Sequence, residues 1–291
     1  MRASQLLRFA FALLAAALLA AAARAQTLPG VTDRFFQASD GVRLHYLDAG
    51  PKAGHSIVFI PGWTMPAWIW ARQIAAFGRT DHVIAFDPRG QGESAVASSG
   101  YEPVRRGQDI AELIANLGPA PVLLVGWSLG VLDALAYVHS HGDGMLAGLV
   151  LVDNSVGEEP APLPVHRRPG RPVPHDVYME RFVRTMFRTP QDPIWLDRLT
   201  EATLHTPDWA ARALLAYPVP RSYWRNAVYA TDKPILYIVR PGFAAQAANL
   251  ARNRPDTETA VFENVGHALF VDQPARFDAL MEAFIRQRIW P

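Results

Sequence analysis

The chain has no cysteine among its 291 residues, which excludes disulfides, thiolate nucleophiles and cysteine metal sites together. Charge of one sign is also lacking: 28 Lys and Arg stand against 27 Asp and Glu, a formal net charge of +1. No long block of like charge appears, so nothing points to a nucleic-acid partner. There is no internal repeat. The N-terminus is the one strongly apolar tract: Met1-Arg2 and Arg8 precede an unbroken run from Phe9 to Ala23, and Ala23-Arg24-Ala25 stands before Gln26. A charged start, an apolar stretch too short for a comfortable span and an A-x-A site read as a signal peptide, residues 1–25, cleaved after Ala25. Export to the periplasm or the medium is expected, with no stable membrane anchor after cleavage and no cysteine to carry a lipid. Cleavage leaves 266 residues and removes three arginines, so 28 basic against 27 acidic side chains become 25 against 27. An exported chain without disulfides depends on its apolar core.

What is present is an alternation of short apolar strands and amphipathic helices. Strands are predicted at Leu44–Leu47, Ile57–Ile60, Val83–Phe86, Val122–Val125, Gly148–Val152, Pro234–Val239 and finally Val261–Glu263. Helices are predicted at Trp70–Phe77, Arg105–Asn116, Leu129–His139 and Pro274–Arg288. This is the pattern of an α/β fold with a mainly parallel sheet covered by helices on both faces. The alternation breaks after Asp153. A proline- and arginine-rich stretch from Gly157 to Pro174 leads into helical patterns at His175–Arg188, Pro193–Leu204 and Pro207–Tyr217. The chain therefore divides into a core of residues 26–154 and 231–291 and an inserted helical cap over 155–230. An insertion at the carboxyl end of a strand roofs the crevice where such sheets bind ligands. Tyr178, Met179, Phe182, Met186, Phe187, Trp195, Trp209 and Trp224 are candidates to line a pocket there, although most aromatic residues at helical spacing pack against the main domain.

The most informative segment is Pro121 to Val138, an apolar strand that runs into Gly126-Trp127-Ser128-Leu129-Gly130 and then into a helix. A serine on so tight a strand-to-helix turn has strained backbone angles, and glycines two before and two after it provide the room the turn requires. Ser128 is the expected nucleophile, and the Leu129 N–H at the helix start is aimed at a developing oxyanion. A second donor is expected from the turn after the first long parallel strand, Ile60-Pro61-Gly62-Trp63, through the backbone N–H of Trp63. A serine hydroxyl needs a base within hydrogen-bond reach. On a strand-elbow-helix scaffold that histidine comes last, after the final strand, where Asn264-Val265-Gly266-His267 stands. His267 is the expected base, and the other histidines are assigned surface or structural roles.

With Pro61-Gly62-Trp63, Phe86-Asp87-Pro88-Arg89-Gly90-Gln91-Gly92-Glu93-Ser94, the elbow, Gly266-His267-Ala268-Leu269-Phe270 and Asp272-Gln273-Pro274 in place, the chain from about Phe35 to Ile289 resembles the α/β-hydrolase superfamily, in its cap-bearing esterase, perhydrolase and C–C hydrolase branch. The resemblance makes Asp87 to Ser94 a structural turn at the site's rim. Asp272 reads as a helix-start residue ahead of Pro274. One departure matters. The family's acid usually follows the strand that here is Pro234–Val239, yet Arg240 to Asn249 contains no carboxylate. Haloalkane dehalogenases, among other members, place the acid at the end of the preceding strand, where this chain has Asp153. The resemblance thus implies Asp153 as the acid; Asp256 is the main rival, Glu158 and Glu159 are remoter, and a Ser-His dyad oriented by an amide is a further alternative.

The chemistry implied is hydrolysis of a small carboxylic ester or related acyl compound through an acyl-enzyme, with no cofactor and no metal. A serine at the elbow argues against the dehalogenase and epoxide hydrolase routes, which need aspartate there. The Trp127-Ser128 pair and the cap arginines Arg167, Arg168, Arg171, Arg181, Arg184 and Arg188 are similar to pimeloyl-carrier-protein methyl ester carboxylesterases, but export argues against a cytoplasmic carrier-protein substrate. Two other readings stand beside the esterase: a cofactor-free perhydrolase or haloperoxidase, and a hydrolase scaffold without an acid, kept as a binding module.

Overall fold

The computed structural model describes residues 29–53, 55–162 and 173–290; the expected signal segment and Arg167, Arg168 and Arg171 lie outside them. Its core is one eight-stranded sheet in the order β1-β2-β4-β3-β5-β6-β7-β8. The strands are β1 (Val31–Gln37), β2 (Arg43–Ala49), β3 (Ser56–Ile60), β4 (His82–Asp87), β5 (Val122–Trp127), β6 (Leu146–Val152), β7 (Ile235–Val239) and β8 (Thr257–Val261). β2 is antiparallel to β1 and β4, and every later pairing is parallel. The central strands read SIVFI, VLLVGW and ILYIV without a polar break because both their faces are covered.

Alternate residues of these strands feed two separate apolar layers, as the period of two requires. Val58, Leu124, Leu149 and Tyr237 face α2 (Pro103–Leu117) and α3 (Leu129–His141). Phe59, Val125, Val150 and Leu236 face α1 (Ala71–Phe77) and a C-terminal helix at Pro274–Phe284. The cap contributes α4 (His175–Thr185), α5 (Pro193–Leu204) and α6 (Asp208–Leu214). Asp192 starts α5 by accepting the Trp195 N–H at 3.0 Å. Among the described residues no helix is long and apolar enough to cross a membrane.

Several elements differ from the sequence expectation. The last strand is β8, Thr257–Val261, rather than Val261–Glu263, because Phe262 already turns away to bury itself under α1 and the C-terminal helix. β1 was not expected: its residues are mostly exposed, so it carries no buried stripe. α7 (Ser222–Ala230), grouped with the cap by the sequence, packs Trp224, Ala227 and Val228 into the layer that holds Leu135 and Val138 of α3. The stretch from Arg240 to Asn249 is helical, a 3-10 turn at Pro241–Phe243 followed by α8 (Ala244–Asn253). After it come a short α9 (Leu269–Asp272) and α10 (Pro274–Phe284), which ends four residues before Arg288 and continues as a π-turn over Ile285–Ile289.

The register aligns the carboxyl ends of the strands on one rim. Ile60 pairs with Gly126, Trp127 with Val152, Val152 with Ile238, and Val239 with Val261. The loops after β3, β5, β6, β7 and β8 therefore open side by side beneath the cap.

Candidate active site

Ser128 ends β5 at φ 55° and ψ −117°, a conformation that costs a non-glycine residue about 1–3 kcal/mol. The surrounding packing imposes it. A Cβ at Gly126 would stand 2.3 Å from the Gly130 carbonyl oxygen, and one at Gly130 would stand 2.4 Å from that of Ile60. The strand and helix thus cross at backbone contact. The Ser128 N–H donates to the Val152 carbonyl at 2.9 Å, and the Asn154 side-chain amide donates to the Ser128 carbonyl at 2.8 Å.

His267 Nε2 lies 2.7 Å from Ser128 Oγ, and its Nδ1 lies 2.6 Å from Asp153 Oδ2. Asp153 accepts only, so Nδ1 carries the ring proton and Nε2 is free to accept from the serine hydroxyl. The loop bearing His267 is held from below by Trp127, whose indole N–H donates to the His267 carbonyl at 2.9 Å.

The carboxylate of Asp153 is fully buried and receives three donors: the Arg240 backbone N–H at 2.9 Å on Oδ1, and Arg240 Nε–H at 2.5 Å with His267 Nδ1–H at 2.6 Å on Oδ2. Burial alone would raise its pKa, but the hydrogen bond and charge of His267 and the charge of Arg240 hold it below the ordinary aspartate value. Among the described residues no rival carboxylate reaches the histidine. Asp256 is exposed just ahead of β8, Glu158 accepts from Tyr229 and the Glu159 N–H, and Glu159 pairs with Arg221. Asp153 stands where the sequence, with no acid after β7, left a gap.

On the other side of Ser128, a Cβ on Gly62 would meet Ser128 Cβ at 3.1 Å, which brings the loop after β3 against the nucleophile. Neither the Trp63 nor the Leu129 N–H has an acceptor among the described residues. Two residues that the sequence left without a part in the site hold its loops. Gln91, from the Asp87 to Ser94 turn, donates to the Gly62 and Met65 carbonyls at 3.1 and 3.2 Å and accepts the Thr64 N–H at 2.9 Å, so its one amide fixes the loop of Trp63. Asp272 is not a helix start: it ends α9, and Gln273 precedes α10. Its carboxylate accepts the Gly266 N–H at 2.6 Å, the Arg188 N–H at 2.8 Å and the Thr189 N–H at 3.0 Å, joining the base loop to the cap. Ala268 N–H adds a bond to the Met186 carbonyl at 3.1 Å. Long-range partners of this kind leave no local pattern.

The cap aromatics divide. Phe182 and Tyr178 stand edge-on to Trp63, with ring centroids 5.1 and 6.4 Å away, and Phe187 packs on Trp195, which meets Trp68. Met179 and Met186 are buried, Trp209 is edge-on to Tyr101, and Trp224 belongs to the core layer under α3. The Trp63 indole N–H donates to the Ala211 carbonyl of α6 at 2.7 Å, a second tie between the cap and the catalytic rim. His45, His82 and His205 bond to Asp87, Asp48 and the Ser94 carbonyl. No cluster of three or more His, Asp or Glu suited to a metal occurs among the described residues.

A strained serine, a tautomer-fixed histidine and a buried carboxylate thus meet on the rim of this sheet, in the arrangement of a nucleophile-elbow fold. The chain belongs to the alpha/beta hydrolase family, whose model matches residues 57–280. It is 36% identical over 119 residues to a non-heme haloperoxidase of Rhodococcus erythropolis, an alignment covering 40% of this chain and 43% of that protein. It is 31% identical over 114 residues to a bifunctional esterase/perhydrolase of Acinetobacter calcoaceticus, covering 39% and 41%. The chain thus spans about two fifths of the curated relatives it matches. An esterase structure from Rhodococcus sp. ECU1013 superposes with a TM-score of 0.76 at 24% identity, over 88% of this chain and 99% of that one. A bromoperoxidase structure from Bacillus anthracis superposes at 0.73 with 18% identity, over 88% and 100%. These two likenesses carry the fold.

Proposed function

We propose that the protein is a serine esterase that cleaves small carboxylic esters through an acyl-enzyme on Ser128. The observation that carries this reading is the relay from Ser128 Oγ through His267 to Asp153, at 2.7 and 2.6 Å, beside two backbone N–H groups without acceptors among the described residues. His267 Nε2 takes the serine proton as Oγ attacks the ester carbonyl. Asp153 stabilises the imidazolium so formed and holds the ring in place. The N–H groups of Trp63 and Leu129 receive the oxyanion, whose negative charge exists only in the tetrahedral intermediate and the flanking transition states. Collapse expels the alcohol, which takes the proton from Nε2. Water then repeats the sequence in reverse and releases the acid. No cofactor enters any step.

Ser128 should be labelled by a fluorophosphonate probe and p-nitrophenyl acetate should be hydrolysed, with both lost in Ser128→Ala. A purified, folded protein inert to the probe and to short aryl esters would sink the proposal. A second reading, perhydrolysis, draws support from the haloperoxidase and perhydrolase relatives. In it hydrogen peroxide replaces water as the acyl acceptor, and the product is a peracid. Peracid formation from a carboxylic acid and peroxide, assayed beside ester hydrolysis, ranks the two. We also assign the enzyme to the periplasm or medium from its N-terminal segment; N-terminal sequencing of the exported protein should begin at Gln26.

A further inference from the structure

Arg240 stands where the family's acid is usually found, and its hydrogen-bonding capacity is mostly unspent. Nε donates to Asp153, whereas Nη2 lies 3.3 Å from His267 Nδ1. That last contact is not a hydrogen bond, because the Nδ1 proton already points at Asp153 and both nitrogens are donors. Nη1 has no acceptor among the described residues. Arg188 presents a second guanidinium, exposed and likewise without an acceptor among them. Both side chains line one cleft of about 380 Å³, whose remaining wall includes Pro241, Phe243, Asn264 and Val265. No carboxylate among the described residues lines it.

We propose that this cleft binds a small organic carboxylate, on the side of His267 opposite Ser128. Two guanidinium groups with unmet donors match a carboxylate's paired oxygens. Pro241, Phe243 and Val265 give an apolar wall to the body of the ligand, and the volume suits a ring the size of benzoate. The occupant takes the free Nη donors of Arg240, and its charge offsets the guanidinium that faces the imidazolium ring. That ring becomes cationic during serine attack, so occupancy favours the charge separation the reaction needs and raises kcat. The kinetic part rests on the esterase reading; binding does not.

Calorimetry of the wild-type protein with benzoate, without ester, tests the site directly. Binding is expected, weakened at least tenfold in Arg188→Ala and at least tenfold weaker for inorganic phosphate. No binding, or binding unchanged in Arg188→Ala, overturns the proposal; equal affinity for phosphate overturns the role of the apolar wall. In p-nitrophenyl acetate hydrolysis, benzoate should raise kcat with KM unchanged in the wild type and leave kcat unchanged in Arg188→Ala, each protein being compared with its own turnover without benzoate. Competitive inhibition that survives Arg188→Ala would place benzoate at Ser128 instead and refute the separate site.

Discussion

Replacing Asp153 by Asn removes one charge and one acceptor while keeping the shape of the side chain. Three donors converge on the carboxylate, the Arg240 N–H and Nε–H and the His267 Nδ1–H. An amide offers them a single oxygen. If that oxygen faces Arg240 Nε and His267, its NH2 group confronts the Arg240 backbone N–H, and the imidazolium loses its counter-charge. If the amide flips, its NH2 faces Nδ1, the ring proton moves to Nε2, and the base no longer accepts from Ser128. Either arrangement removes stabilisation made only as the serine attacks, so kcat should fall by roughly 10³- to 10⁴-fold, about 4–5.5 kcal/mol. KM should change little. The assay is steady-state hydrolysis of p-nitrophenyl acetate, with near-UV circular dichroism to establish that the variant is folded. Asp256→Asn, at the exposed end of β8, should retain wild-type turnover. A folded Asp153→Asn protein within tenfold of wild type, or an Asp256→Asn protein as impaired as expected for Asp153, refutes the assignment.

Gly130→Ala should lower the urea-unfolding free energy by about 2 kcal/mol or more, since the new methyl meets the Ile60 carbonyl at 2.4 Å and neither backbone segment is free to retreat. Gln91→Leu should lower kcat about tenfold and lower the melting temperature as well, because the loop of Trp63 loses three buried hydrogen bonds and the oxyanion donor its fixed position. Asp133 of α3 gives a pH dependence. Burial pushes its pKa up to about 6, against the opposing charge of Arg106. The folded state therefore holds a proton that the unfolded chain releases near pH 4. This contribution is complete below that pH and is lost as pH rises from about 4 to 6, on the order of 3 kcal/mol in all. Urea titrations of wild type and Asp133→Asn across that window should show the slope in the first and its loss in the second.

Much of the fold and the central pair of the site were legible in the sequence for local reasons. The elbow is written in five consecutive residues, and Ser128 and His267 follow from the apolar strands beside them. What was hidden has a common cause. β1 lacks a buried stripe because it is an exposed edge strand, so no alternation marks it. α8 starts at Ala244 without a side-chain cap, and the Pro-Gly pair ahead of it reads as loop. Gln91 acts through backbone groups 26 to 29 residues away, and Asp272 joins Gly266, six residues away, to Arg188 and Thr189, 84 and 83 residues away. Asp153 was reached only by likeness, since its link to His267 joins residues 114 apart.

The ties from Asp272 to Gly266, Arg188 and Thr189 bear on how such enzymes can be recombined. A cap joined to the base loop by one carboxylate, which accepts from Gly266, from Arg188 and from both the N–H and the hydroxyl of Thr189, is not an interchangeable module. Grafting residues 173–221 from another hydrolase onto this core would exchange the strand of chain that steadies His267 along with the pocket. Such a chimera should need its own partner for Asp272, at the place of Arg188 and Thr189, before any new specificity of the grafted roof becomes visible in turnover.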